Sequence, residues 1–291
     1  MKASTESLLS QFKVLADPIR VRLLALCATT ECSVSELTEV TGQSQPRVSQ
    51  HLKQLCGVDL LERFKDGHFV YYRVRADGAA AARRRLLALL PDDEPQFAKD
   101  LDRLRQLRSD PAALDTSDAD RSLYRALVEL TVSQPLGDLL DIGCGQGRVL
   151  KLLASRAHRL VGVDIDSNAR RLARAQLLLA GSANTSLRQA DMTSLPFQDG
   201  EFDTVILDDV LAAAADPAIA IHEAKRVLNP GGRLLLLAAV DDDNVAKTRQ
   251  NFSDWAAAAG LRLAAPRPVP GKRARWLLAV ATTAGRATAA A

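Results

Sequence analysis

The chain has 291 residues, of which 47% are hydrophobic and 25% are charged, and its formal net charge is +3 at pH 7. This composition excludes wholesale disorder, and the length predicts about two domains. The net charge is too small to indicate a nucleic-acid partner by itself, so any DNA binding has to come from local patterns.

Targeting and redox signals are weak. No stretch has the order of a secretory signal peptide, and no apolar run approaches the roughly 18 residues that span a bilayer. We therefore expect a cytoplasmic protein that does not contact a membrane. The four cysteines form no CxxC pair, which favours unpaired thiols in a reducing compartment.

Residues 1–75 predict four short helices followed by a β-hairpin. Helix starts and stops are indicated by cap and turn residues, and an Asp-Gly pair between β-rich flanks is a strong hairpin signal. These boundary residues are Asp17, Ser33, Gly42, Ser44 and the Asp66-Gly67 pair.

The third and fourth helices, with the turn at Gly42, describe a helix-turn-helix, whose second helix enters the major groove of DNA. Val48, Leu52 and Leu55 are spaced to face the core. The polar residues between them suit base edges and phosphates, and the hairpin tip would lie beside the duplex as a wing. The candidate DNA-binding residues are Ser44, Gln45, Arg47, Ser49, His51 and Lys53 in the helix, with Lys65 and His68 at the hairpin tip.

Three strings in this region resemble the ArsR/SmtB winged helix-turn-helix repressors: ADPIRVRLLALC, SVSELTEVTGQSQPRVSQHLKQL and LLERFKDGHFVYYRV. The resemblance covers nearly all of residues 5–75. It implies a homodimer that binds a two-fold-related DNA operator, with Ser44–Leu55 as the recognition helix.

The metal-sensing role of that family is not supported by the residues. Many arsenic sensors of the family carry cysteines on either side of a valine, and here Ser33 and Ser35 stand at those positions. Hydroxyls are poor ligands for soft metals. Residues 76–90 hold no histidine for the family's zinc alternative, and we assign no metal ligand. Two interpretations remain for the nearby thiols, either an unusual thiol site or small buried side chains; these are Cys27, Cys32 and Cys56.

Residues 76–135 predict a helical connector in which acids and arginines are mixed. The arginine triplet at 83–85 is typical of a solvated helix face, and a DNA or dimer role is the alternative. From residue 136 to 291 short apolar strands alternate with helical stretches. This alternation predicts a largely parallel sheet with helices on both faces. The expected fold class is thus a mainly-α winged helix-turn-helix domain followed by an α/β Rossmann-like domain.

The glycine-rich stretch LLDIGCGQGRVL (139–150) is typical of a strand, a tight turn and a helix that approach a ligand closely. A tight turn that merely needs small residues would also explain it. Arg148 stands where the dinucleotide fingerprint requires Gly or Ala, and no GK[ST] follows, so neither a dinucleotide site nor a P-loop is indicated. Acids end the later strands at Asp164, Asp191 and Asp208, on the edge where open α/β sheets bind ligands.

Residues 136–240 resemble class I S-adenosylmethionine-dependent methyltransferases through LLDIGCGQG, VGVDID, QADMTSLPFQDGEFDTVIL and EAKRVLNPGGRLLLL. The resemblance implies S-adenosylmethionine or S-adenosylhomocysteine as the ligand. It further implies the roles of the binding residues. Asp141, Gly143 and Gly145 would line the methionine end, Asp164 the ribose, Ile165, Asp191 and Met192 the adenine, and Asp208 the sulfonium.

The acceptor side of this pocket lacks the groups that methyl transfer usually needs. The loop VLAAAADP (210–217) offers neither a base nor an aromatic face, and the acids at 241–243 are typical of a solvated loop, with an acid–base role as the alternative. We therefore assign no catalytic residue. The architecture resembles the S-adenosylhomocysteine-responsive regulators, which implies a repressor that senses an adenosyl metabolite. An active small-molecule methyltransferase that regulates its own expression is the alternative, and arsenite or metal sensing comes third.

Overall fold

The structure is a computed structural model that describes residues 5–66, 69–75, 79–91, 94–108, 121–132, 134–269 and 275–283. The chain divides into two compact units, one comprising Met1–Pro111 with Leu178–Ala183 and the other Ala112–Leu177 with Asn184–Ala291. Over the described ranges, no helix is long and apolar enough to cross a membrane.

The first unit confirms the predicted four helices and hairpin. Its helices are α1 (Thr5–Leu15), α2 (Pro18–Thr29), α3 (Val34–Thr41), α4 (Gln45–Gly57), α5 (Ala80–Leu87) and α6 (Pro95–Arg108). Its strands are β1 (Cys32–Ser33), β2 (Leu61–Asp66) and β3 (Phe69–Val74), which pair antiparallel in the order β1-β3-β2. The short strand β1 was not predicted, because two residues carry no periodicity.

Local side-chain chemistry sets the helix boundaries. Asp17 caps α2 by accepting hydrogen bonds from the backbone N–H groups of Ile19 and Arg20 at 2.9 and 3.1 Å. Ser33 and Glu36 form a reciprocal capping box at the start of α3. Gly42 ends α3 in the left-handed conformation, with φ of 68°. Gly42 therefore shapes the turn that separates α3 from α4.

The predicted inner face of α4 is buried: Val48, Leu52 and Leu55 have no exposed surface. Helix α6, which the sequence assigned to a connector, packs Leu104 into the same core. Helices α5 and α6 fall in the first unit, while α7 (Arg121–Val132) falls in the second. Within the arginine triplet, Arg84 and Arg85 are exposed.

Arg83 departs from the expected solvated face. Its side chain is buried and donates to the backbone carbonyls of Arg75 and Asp59, at 2.8 and 3.2 Å. A single arginine of the triplet therefore fastens α5 to the end of the hairpin, because its N–H groups satisfy carbonyls there.

The second unit contains a mixed sheet of eight strands. After α7 come β4 (Asp138–Ile142), α8 (Arg148–Leu153), β5 (Arg159–Asp164), α9 (Ser167–Leu179), β6 (Thr185–Gln189), β7 (Phe202–Asp208), α10 (Pro217–Arg226), β8 (Leu228–Val240), α11 (Val245–Ala258), β9 (Arg262–Leu263), β10 (Arg267–Val269) and β11 (Arg275–Thr282). The strand order is β10-β11-β8-β7-β4-β5-β6, with β9 paired to β11.

The five strands from β4 to β8 are parallel to their neighbours, as predicted, while β11 is antiparallel to β8. Buried residues cover both faces of this sheet. One core includes Phe202, Leu236 and Phe252, and the other includes Leu139, Leu150 and residues of α7. The central strands are apolar on both sides, which is why they read as continuous hydrophobic runs.

Candidate functional site

Three carboxylates gather at the carboxyl ends of β4, β5 and β7, which are neighbours in the sheet. Asp141 is the penultimate residue of β4, while Asp164 and Asp208 are the last residues of β5 and β7. Because Ile142 pairs with Leu207, the glycine turn after β4 and Asp208 follow side by side. The structure thus brings together three of the acids that the sequence singled out.

The turn after β4 needs glycine for two different reasons. Gly143 has φ of 73°, and a Cβ there would lie 2.3 Å from Cγ1 of Val210. Gly145 has φ of 51°, yet a Cβ there would meet no heavy atom within 4 Å. Gly143 is therefore packed against protein, whereas Gly145 faces open space that a ligand can enter.

Asp164 is tied to this turn. Its Oδ2 accepts a hydrogen bond from the backbone N–H of Gly145 at 2.8 Å, and its Oδ1 accepts one from the N–H of Asp166 at 2.8 Å. The backbone carbonyl of Asp164 accepts a bond from the buried guanidinium of Arg170 at 2.8 Å. The carboxylate expected at the ribose is thus held in place by backbone on both sides.

Asp141 carries the clearest sign of a ligand. Its side chain is 1% exposed, and its Oδ1 has no hydrogen-bond partner among the described residues. Burial raises the pKa of Asp141 well above its usual value, the nearby Asp208 carboxylate adds to the rise, and the Arg148 guanidinium opposes it. A buried polar atom without a partner is costly. The residues present therefore fit a ligand that brings a hydrogen-bond donor to this point.

Arg148 and Asp208 form an ion pair beside Asp141. One guanidinium nitrogen, Nη2, lies 2.8 and 3.0 Å from the two carboxylate oxygens of Asp208. The guanidinium also lies 4.9 Å from the ring centre of Trp276 on β11, a cation–π contact that holds its position. Sequence reasoning used Arg148 only to exclude a dinucleotide site and missed this pair. The signal was its place as the first residue of the helix after the glycine turn.

The expected adenine-binding residues lie at the ends of the neighbouring strands. Ile165, just after β5, is 67% exposed, so its apolar side chain is accessible to a ligand. Asp191 follows β6 and is exposed; hydrogen bonds from the backbone N–H and hydroxyl of Thr193 lower its pKa. Met192 is half-buried and packs on the core of this unit. Exposed apolar and acidic groups at one strand edge suit a flat heteroaromatic ring.

The loop 210–217, beside which a methyl acceptor would bind, is rich in alanine. Residues 212 and 213, both alanine, are exposed, and Asp216 caps α10 through the N–H of Ala218 at 2.9 Å. Asp241 accepts hydrogen bonds from the N–H groups of Asp243 and Asn244, so it fixes its own turn. His158 pairs with Asp138 at the opposite end of β4, and His222 is an exposed residue of α10. The carboxylates of Asp216 and Asp241 are thus engaged in a helix cap and in a turn.

The DNA-facing candidates on α4 are mostly exposed. Ser44 caps no backbone N–H with its side chain, and the structure leaves four further side chains on the outer face: Gln45, Arg47, Ser49 and Lys53. His51 differs, because it is half-buried and its Nδ1 is a buried atom with no hydrogen-bond partner in the described residues. Lys65 on β2 is exposed, and His68 lies outside the described residues.

The thiols of the first unit are free. Cys27 and Cys32 are buried and Cys56 is half-buried. A hydrogen bond with Cys32, together with burial, raises the pKa of the Cys27 thiol well above its usual value. Across the ranges that the structure describes, no three histidine, cysteine or acidic side chains are grouped as metal ligands.

Two family models match separate parts of the chain. Residues 17–63 match the family model described as "Bacterial regulatory protein, arsR family", and residues 140–236 match that of a "Methyltransferase domain". A chain of the complex between the Haloferax volcanii Trm112 methyltransferase activator and the putative methyltransferase has a similar fold, with a TM-score of 0.51 and 20% identity. That alignment covers 62% of this chain and 97% of the other.

Two curated relatives match part of the chain. Nocamycin O-methyltransferase from Saccharothrix syringae is 36% identical over 124 residues, 41% of this chain and 44% of its own length. The ubiquinone/menaquinone biosynthesis C-methyltransferase UbiE from Ectopseudomonas mendocina is 36% identical over 135 residues, 44% of this chain and 53% of its own. The chain thus spans about half the length of these relatives. The resemblances to the ArsR family and to the methyltransferases are confirmed, and the chain joins an ArsR-family helix-turn-helix domain to a methyltransferase domain.

Proposed function

We propose that this protein is a dimeric transcriptional repressor whose methyltransferase domain binds S-adenosylhomocysteine or S-adenosylmethionine as a signal. The observation that carries the proposal is the buried Asp141 oxygen, which has no partner among the described residues and lies in the strand that leads into the glycine turn. Such an atom is suited to a ligand that brings a donor, and the alanines of the loop 210–217 supply no base to accept a proton.

The binding roles follow from the chemistry of each residue. Asp141 and the turn at Gly143 and Gly145 would hold the amino-acid end, whose ammonium group donates to Asp141. The carboxylate of Asp164 would accept hydrogen bonds from the ribose hydroxyls. Ile165 and the 191–192 segment would receive the adenine, and Asp208 would lie near the sulfur. S-adenosylmethionine, when bound, supplies an electrophilic methyl group, and S-adenosylhomocysteine supplies none.

On the DNA side, the exposed face of α4 would read base edges while the hairpin contacts phosphates. A tenfold ligand effect on operator affinity requires about 1.4 kcal/mol of differential binding, within the range usual for coupled sites. The second candidate function is an active small-molecule methyltransferase, and it is favoured by the names of the curated relatives.

The test begins with an operator selected from a random duplex pool by the full-length protein. Its affinity is then measured at fixed salt with S-adenosylhomocysteine, S-adenosylmethionine or adenosine present. The proposal expects at least a tenfold response to one of the adenosyl sulfur ligands and none to adenosine. Sedimentation of the complex checks the dimer.

Asp164→Asn should leave basal operator affinity intact and remove the ligand response, while the matched change Asp254→Asn on the exposed face of α11 should keep both. If neither adenosyl ligand changes operator affinity while methyl transfer to an added acceptor proceeds, the enzyme function replaces the sensor.

A further inference from the structure

The Arg148–Asp208 ion pair lies beside the candidate site, with its two side chains 31% and 11% exposed. Asp208 would otherwise present a carboxylate next to the glycine turn, and its side chain is only 11% exposed. Arg148 lies within hydrogen-bond distance of both of its oxygens and is held against Trp276. The negative charge of Asp208 is therefore already neutralised by the protein before any ligand arrives.

The two adenosyl ligands differ at their sulfur by one methyl group and one positive charge. An unpaired carboxylate near the sulfur attracts the sulfonium and is indifferent to the thioether. A carboxylate that is paired with a guanidinium loses this attraction. At an effective dielectric constant of about 20, unit charges a few ångströms apart interact strongly enough to change an affinity tenfold or more.

We propose that Arg148 is the residue that sets the discrimination between neutral and cationic sulfur in this pocket, by neutralising Asp208 and disfavouring the sulfonium. This inference rests on the proposed function, because it requires an adenosyl ligand at this site. It assigns to Arg148 a role that its place in the glycine motif does not imply.

The packing around the pair explains why the charge stays in place. A flexible arginine at a surface would swing into water and lose its effect. Here the indole of Trp276, from the antiparallel strand β11, supports one face of the guanidinium, and the ion pair orients its edge. The selectivity thus depends on residues from three elements, namely Asp208 of β7, Arg148 of α8 and Trp276 of β11.

The experiment measures the dissociation constants of S-adenosylmethionine and S-adenosylhomocysteine by calorimetry on the full-length protein. Arg148→Gln should lower the ratio of the two constants (methionine form over homocysteine form) by about tenfold, which corresponds to about 1.4 kcal/mol. Asp208→Asn should raise the ratio, because the guanidinium then lacks its counter-charge. Arg148→Lys should keep the wild-type ratio. Arg156→Gln removes the same charge from an exposed position and should also leave the ratio within threefold.

Two results overturn the inference while sparing the proposed function: an Arg148→Gln ratio within threefold of wild type with both ligands still bound, or shifts of Arg148→Gln and Asp208→Asn in the same direction. If wild type binds neither ligand, the proposed function and this inference both fail. Should Arg148→Gln not fold, as judged by its melting curve, a wild-type ratio in Asp208→Asn overturns the inference.

Discussion

Replacing Arg108 by alanine is expected to destabilise the first unit by about 2–4 kcal/mol. The Arg108 guanidinium donates to the Glu36 carboxylate at 2.8 and 3.2 Å, to the backbone carbonyl of Glu31 at 2.6 Å and to the hydroxyl of Thr30 at 3.3 Å. It thereby fastens the end of α6 to the start of α3, the first helix of the helix-turn-helix.

The magnitude follows from the burial of this pair. The side chains of Arg108 and Glu36 are 6% and 22% exposed. Removing one partner of a buried ion pair costs about 3–5 kcal/mol, because the other charge remains buried without compensation. The partial exposure of Glu36 lets water recover some of that cost, which lowers the expected value to about 2–4 kcal/mol.

The assay is urea unfolding of the full-length protein followed by far-ultraviolet circular dichroism. Tryptophan fluorescence comes from Trp255 and Trp276, both in the second unit, and separates that unit's transition from the first. The control is Arg105→Ala on the same helix, whose ion pair with Asp102 is exposed and should cost less than about 0.5 kcal/mol. Equal shifts for Arg108→Ala and Arg105→Ala would refute the reasoning.

The same pair predicts a dependence on pH. Burial opposes ionisation of the Glu36 carboxyl, but Arg108 and hydrogen bonds from Ser33 outweigh it and hold its pKa below 4.5. An acid with a lowered pKa in the folded state stabilises the fold above its unfolded pKa and loses that contribution as the pH falls through its folded pKa. The wild-type first unit should therefore lose stability in acid below about pH 4.5, and Arg108→Ala should lose less over the same interval.

Four further substitutions test the two candidate sites. Gly143→Ala should destabilise the second unit by about 2–4 kcal/mol, because the added Cβ meets Val210. Gly145→Ala should cost about 1 kcal/mol from backbone strain alone and should mainly weaken ligand binding. Equal losses of stability for the two variants in tryptophan-monitored melting would contradict this. Burial raises the pKa of Asp141 in the folded state, so its contribution to stability is present below the unfolded pKa and is lost as the pH rises through the folded pKa. Asp141→Asn should therefore flatten the fall of the melting temperature as the pH rises above about 4. If the melting temperature of the variant changes with pH in parallel with that of wild type, ionisation of the buried Asp141 does not destabilise the fold. Arg47→Ala should weaken specific operator binding by about 1–3 kcal/mol at fixed salt, and an unchanged affinity in a fluorescence-anisotropy titration would remove Arg47 from the reading face.

The sequence predicted those features whose causes are local. A cap such as Asp17 acts on backbone two and three residues ahead, and Gly42 tolerates its left-handed conformation because glycine has no Cβ. The inner face of α4 follows from a spacing of three and four residues. The parallel pairing of strands β4 to β8 follows from their alternation with helices. These signals lie within a few residues of their effects, so a single sequence shows them.

The features that were missed depend on partners far apart in the chain. Arg108 meets Glu36 across 72 residues, and Arg148 meets Asp208 across 60. The strand β11 is an apolar run whose antiparallel pairing with β8 is decided by tertiary packing. The sequence predicts that an arginine in a charged helix is solvated, whereas Arg83 donates hydrogen bonds to backbone carbonyls in the structure. Periodicity carries no information about such contacts.

Buried charged side chains differ between the two units in whether they are paired with a partner. In the first unit, the buried Asp100 carboxylate receives two bonds from Arg22 at 2.7 Å, and Arg108 is matched by Glu36. Charges that are paired in this way hold helices together and have little left to offer a ligand. In the second unit Asp141 keeps an oxygen without a partner in the described residues, although Arg148 is close enough to affect its pKa. Because Arg148 pairs with Asp208, the Oδ1 atom of Asp141 is left as a buried acceptor, and we expect a donor group of the ligand to bind there.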